Sequence, residues 1–271
     1  MTGNETTSPW RRFWSKGGWW RSLLLVVVYY VLYQLGGFIF LPLAASTDDP
    51  AALVWFETVL PIALGGLILV VFGWSVGWLR ELFGPQPIRG SWWMWIAVGV
   101  VVLFNVLHFA TVDYGKAGAG VVVAWIIAGL FIGFAEETLT RGYVVNLMRK
   151  AGYREISVAL VSAALFAAMH SGNLLTGQAL LPTLLQVGYT FAFGILMYLA
   201  LRVTGNLIWP ILLHATTDPS TFLQTLYPAD GALTAIAGLG NIVVIVTGLV
   251  LLIFIRGKVA STEPTFDEKP A

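Results

Sequence analysis

The chain has 271 residues, of which 58% are hydrophobic and 11% charged, with a formal net charge of +1. A soluble domain carries roughly 45–50% apolar and about 25% charged residues, so one soluble core cannot hide this much apolar surface. Disorder is excluded by the same numbers, since it needs low hydrophobicity and high charge. The near-neutral charge gives no case for nucleic acid as a partner. With no cysteine in the chain, disulfides, thiolate catalysis and cysteine-held metals are excluded. A polytopic membrane protein remains, and at roughly 20 residues per span the length accommodates up to about eight or nine.

Residues 1–21 are basic and rich in tryptophan, with Arg11, Arg12 and Lys16, and suit a cytoplasmic interfacial anchor. The first apolar run lacks a small-residue cleavage site, so it is expected to stay as a helix. Apolar runs then cover 22–44, 52–79, 92–111, 119–148, 154–172, 180–201, 206–225 and 232–255. Turn-like clusters separate them, such as Ser46-Thr47-Asp48-Asp49-Pro50 and Phe83-Gly84-Pro85-Gln86-Pro87. The runs are too long and too uniformly apolar for barrel strands of about ten alternating residues. The expected fold is therefore all-α, a transmembrane helical bundle of about eight spans with both termini cytoplasmic. Its parts are the N-terminal segment 1–21, membrane helices in 22–118, a core in 119–225, a last helix in 226–256 and a disordered cytoplasmic tail in 257–271.

Charge placement supports this topology. Of the 15 Lys and Arg residues, all except Lys116 and Arg141 fall on segments assigned to one side. The opposite loops carry Asp48, Asp49, Asp113 and Asp230. That asymmetry is the positive-inside pattern, and tryptophans at 10, 14, 19, 20, 78, 92, 93 and 209 flank the runs as an aromatic belt.

Ionisable groups inside spans carry the functional signal, because each costs about 2.5–3.5 kcal/mol at the bilayer centre even on a lenient scale. They are Glu136, Glu137 and Arg141 in the fourth run, His170 in the fifth, and His214 with Asp218 in the seventh. Glu137 and Arg141 are four apart and share a helix face. Glu136 points about 100° away and has no such local partner, which leaves it free to meet groups on other helices as a general base or acid. Glu137 and Arg141 also fit a purely structural ion pair. Phe166 and His170 are one turn apart, so the ring can pack against the imidazole. His214 and Asp218 are likewise one turn apart, which also suits a local hydrogen bond at the segment end. Counted at about 1.5 Å per residue, Glu136 and His170 lie at similar depth. His214 is shallower unless its helix tilts or starts inside the membrane near Gly205-Asn206; Pro210 offers one route to a kink. His108 suits a structural role near the outer interface. Glu57, near the outer end of the second span, can snorkel to water and needs no functional explanation.

Taken together, Glu136-Glu137-x-x-x-Arg141, Phe166-x-x-x-His170 and His214-x-x-x-Asp218 resemble the CAAX protease and bacteriocin-processing family (CPBP, or Abi) of intramembrane glutamic endopeptidases. Arg141-Gly142, Phe193-Gly194 and the approach Thr204-Gly205-Asn206-Leu207-Ile208-Trp209-Pro210 to Leu213-His214-Ala215 are similar to that family's context. The resemblance covers about 119–218. It implies a membrane-embedded hydrolase in which Glu136 and His170 activate a water. His214 and Asp218 then stabilise the oxyanion, while Glu137, Arg141 and Phe166 orient the site. It implies no cofactor and a peptide or protein substrate, lipidated or membrane-associated, met at the bilayer of a bacterial cell membrane.

Two positions depart from the family pattern. Asp218 stands where Asn is common, and an ionised Asp would repel an oxyanion, so orientation of His214 is the role preferred for it. Thr140 stands where an aromatic residue is frequent, which bears on substrate fit or packing. Three other readings remain. Two His and a Glu could hold zinc, although no His-Glu-x-x-His is present. The same groups could form a proton relay in a transporter, although no internal repeat of the kind such carriers show is visible. A non-catalytic immunity or scaffold protein could keep the same fold.

Overall fold

The computed structural model describes residues 8–259. Helices make up the architecture, and the only β pairings among these residues are the isolated bridges Val112–Pro228 and Arg154–Lys258. In chain order the main helices are α1 (Pro9–Ser15), α2 (Trp19–Gly37), α3 (Pro50–Val76), α4 (Trp92–Ala110), α5 (Tyr114–Lys150), α6 (Glu155–Leu174), α7 (Leu180–Thr204), α8 (Ile208–Leu226) and α9 (Ala232–Leu252). Six of them, α3 to α7 and α9, are long and apolar enough to cross a membrane. The remaining long helices, α2 and α8, have 19 residues each and are diluted by polar side chains, Arg21 and Gln34 in one, His214 and Asp218 in the other. The run 22–44 is divided: α2 stops at Gly37 and a short turn of helix, Leu41–Ala44, follows.

The bundle is apolar on its outer face and buries its charged groups in an otherwise apolar interior. Leu67, Val71, Trp74, Leu103, Val106, Leu130, Ile242 and Val246 face outward, while Glu137, Arg141, Glu155, Ser162, Arg202 and His214 are buried. Lipid explains this arrangement, because an apolar side chain gains nothing by leaving hydrocarbon and a charge facing it is costly.

Two helices owe their form to local chemistry that positions the site. α5 opens with Asp113 as its cap, whose carboxylate accepts from the Lys116 backbone N–H at 3.0 Å. That hydrogen bond holds the Asp113 carboxyl below the usual carboxylate range. Further along, α5 widens into a π-helical turn over Thr138–Val144, directly after the two glutamates. Such turns carry an extra residue and recur at functional sites. α8 starts inside the bundle rather than at its edge. Just before its first turn, Asn206 accepts from the Ile208 N–H at 2.8 Å and donates to the Phe83 carbonyl at 3.0 Å, which anchors the helix start. The Gln86 N–H also donates to the Gly205 carbonyl, at 2.9 Å. This inserted start removes the depth difference for His214, with no kink at Pro210. That proline falls in the first turn of α8, where a missing N–H costs nothing.

At the basic end, Arg149 and Arg202 are buried on Glu155. Arg149 donates to it at 2.9 and 2.6 Å, Arg202 at 3.2 Å, and the Tyr198 hydroxyl also donates. Sequence counting places these arginines on inner segments; tertiary packing buries them as the core of that end. The segment 257–271 is partly ordered there, since the Glu155 N–H donates to the Gly257 carbonyl at 3.0 Å and Lys258 pairs with Arg154. Its remainder, 260–271, lies outside the described residues, as do residues 1–7 of the N-terminal segment.

Candidate active site

α5 and α8 cross in close contact, and small residues permit it. A Cβ built on Gly133 would sit 2.7 Å from the Ala215 backbone nitrogen. Glycine therefore lets the two backbones touch, which sets His214 against the glutamate pair. His214 is 2% exposed, and its Nδ1 lies 2.8 Å from Glu137 Oε1. A carboxylate accepts, so Nδ1–H donates. The same Oε1 lies 3.2 Å from Arg141 Nη1. Thus Glu137 bridges Arg141 and His214, and Glu137 rather than Asp218 orients the imidazole. Asp218 Oδ1 is 3.7 Å from Nε2, beyond hydrogen-bond distance, and Glu136 Oε2 is 3.6 Å from that nitrogen.

Arg141 is locked from three sides. Its guanidinium lies 4.7 Å over the Phe166 ring and donates to the Thr140 hydroxyl, which itself donates to the Glu136 carbonyl at 2.6 Å. Gly194 leaves the room it needs: a Cβ there would come within 2.9 Å of Nη2. Thr140 is fully buried, so it holds the arginine and does not meet a substrate. Phe166 is the hub of the site. Its ring meets His170 edge-on at 4.9 Å and His214 at 5.9 Å, and Phe193, 6.4 Å from Phe166, also packs edge-on against His214 at 4.9 Å.

His170 is held differently. Its Nδ1 lies 3.0 Å from the Phe166 carbonyl. A carbonyl only accepts, so this nitrogen carries the proton and, in the neutral ring, Nε2 is left as an acceptor. No ion-pair contact joins His170 to Glu136 among the described residues. Both instead line one cavity of about 410 Å³, together with Asp218. A cavity of that size holds water, which needs only about 10–15 Å³ of such space and two or more polar partners.

The structure therefore brings Glu136, Glu137, Arg141, Phe166, His214 and Asp218 into one contiguous cluster, and His170 joins it through the Phe166 ring while lining the same cavity as Glu136 and Asp218. His108 lies elsewhere, its Nε2 3.1 Å from the Ala237 carbonyl. Sequence reasoning missed the wall of the cavity, where Tyr29, Tyr33 and Gln34 of α2, Glu57 of α3, Asn173 and Gln186 stand. The available signal was the pair of tyrosines with Gln34 on one face of an otherwise apolar α2. Among the described residues, no three His, Asp or Glu side chains are placed to hold a metal.

Residues 118–219 match the family model described as type II CAAX prenyl endopeptidase Rce1-like. The chain carries an Rce1-like core. The matched segment contains all three motifs and ends one residue beyond Asp218. No curated protein matches the chain in a sequence comparison. The six long apolar helices and the match over residues 118–219 make this an integral, multi-pass membrane protein.

Proposed function

We propose that the protein is an intramembrane endopeptidase that hydrolyses a peptide bond with an activated water. One observation carries this reading: Glu136 and His170, whose Nε2 is left as an acceptor, line the same cavity of about 410 Å³, beside a second imidazole held by a buried carboxylate. Amide hydrolysis without a nucleophilic side chain requires a base within reach of water. In the proposed sequence, Glu136 takes a proton from water while His170 Nε2 accepts its other hydrogen. The hydroxide equivalent adds to the carbonyl carbon. His214, donating from Nε2, meets the developing oxyanion, and Glu137 keeps its ring from rotating. Glu136 then passes its proton to the departing amine. Asp218 lines the cavity beside Nε2 without a hydrogen bond to it.

In the same reading the bundle has eight spans, α2 to α9, with the basic end in the cytoplasm. The support is that Arg11, Arg149, Arg154, Arg202 and Lys258 gather at one end, whereas Asp113 and Lys116 stand at the other. The cavity is lined from the late part of α2, the early part of α3 and the late part of α8, so it opens away from the basic end.

The experiment is a comparison of peptide termini in membranes holding wild type or Glu136→Gln at equal expression. A general base contributes roughly 10²–10⁴-fold. Termini formed by wild type should therefore fall below detection with the variant. Equal termini from both proteins would refute the proposal.

A further inference from the structure

Glu57 belongs to the cavity that holds Glu136, His170 and Asp218. It sits on a π-helical turn, Trp55–Val59, within α3, and its carboxylate forms no ion pair or hydrogen bond among the described residues. Tyr29, Tyr30, Tyr33 and Gln34 form the wall contributed by α2, and no lysine or arginine lines the cavity. Carboxylates and the faces of aromatic rings attract the same kind of group, a cation. Low-dielectric walls focus that field into the cleft.

Depth can be read from packing. α3 and α5 run in the same direction in register: Ala51 faces Gly120, and Gly66 faces Phe134. Glu57 lies nine residues before Gly66, and Glu136 two after Phe134. Glu57 is therefore level with Trp125, at the mouth, roughly 16 Å along the bundle axis from Glu136. An extended peptide covers that distance in about five residues at about 3.3 Å each.

We propose that Glu57 is a specificity-determining residue that binds a lysine or arginine side chain of the substrate about five residues from the cleaved bond. The proposal rests on the proteolytic reading for its register but not for its charge preference. Glu57 is exposed, so its replacement spares the core.

The test uses the full chain in lipid nanodiscs and peptides that differ only in the position of one lysine. For wild type, lysine about five residues from the cleaved bond should raise kcat/KM roughly fivefold over glutamine, the upper range for a partly exposed ion pair, through KM rather than kcat. Glu57→Gln should bring the ratio to one, and Glu57→Lys should invert it in favour of glutamate peptides, a result that misfolding cannot produce. A second arm measures binding of labelled lysine and glutamate peptides to Glu136→Gln with and without Glu57→Gln, where no turnover is needed. Lysine preference that survives Glu57→Gln in either arm, or no preference at any position, overturns the proposal. Failure of the proteolytic reading shows separately, as absence of cleavage by wild type.

Discussion

Removing the charge of Glu137 isolates what the buried ion pair contributes. Glu137 and Arg141 are 0% and 1% exposed and 3.2 Å apart. In Glu137→Gln the amide oxygen can still accept from His214 Nδ1, but the guanidinium loses its counter-charge inside the bundle. Leaving one member of a buried pair unpaired costs about 3–5 kcal/mol, a fall in Tm of roughly 6–20 °C for a chain of this size. Removing both charges is a different perturbation. Glu137 Oε2, Arg141 Nε and Arg141 Nη2 have no hydrogen-bond partner, so their desolvation is only partly offset. Glu137→Gln with Arg141→Met should therefore regain at least about half of the lost stability, a coupling of roughly 2 kcal/mol, within the range of contacting residues. Thermal unfolding in nanodiscs, followed through the 12 tryptophans, reads this cycle. Turnover should fall in both variants, because His214 loses an ionised acceptor. Additive losses in the double variant, or an unchanged Tm in Glu137→Gln, would refute the argument.

Other outcomes follow from the same packing. Glu155→Ala leaves Arg149 and Arg202 buried without a carboxylate and should destabilise by roughly 3–5 kcal/mol, while the folded fraction keeps its turnover rate; denaturation and activity measured on one preparation check this. Gly133→Val forces α5 and α8 apart and should abolish turnover, whereas Gly37→Ala, where a Cβ meets nothing within 4 Å, should be silent in stability and peptide cleavage. Because the chain has no native cysteine, sidedness can be read directly: Thr176→Cys at the exposed cavity rim should react with an impermeant maleimide in intact cells, and Lys16→Cys only after lysis. The reverse pattern would invert the topology.

Much of the site is legible in linear spacing. Glu137 and Arg141, and Phe166 and His170, pair within one helix, where a separation of four residues places two side chains on one face. The residues that depend on other helices are not. Glu57 reads as an interfacial carboxylate until α3 packs beside α5 and turns it into the cavity. Arg149 and Arg202 read as inner-segment charges until Glu155 collects them. Asp218 reads as the partner of His214 because the two are one turn apart, yet the nitrogen that needs an acceptor meets Glu137, 77 positions away. The sequence alone determined what a single helix can express: an apolar, all-helical membrane chain, its basic end, and the intrahelical pairs, since hydrophobicity and a 3.6-residue period are local properties. The tertiary structure decided which carboxylate orients His214, that α8 begins inside the bundle, and which residues wall the cavity. Those depend on how closely two backbones approach, and that distance is set by small residues such as Gly133 and Gly194 acting across helices rather than along one.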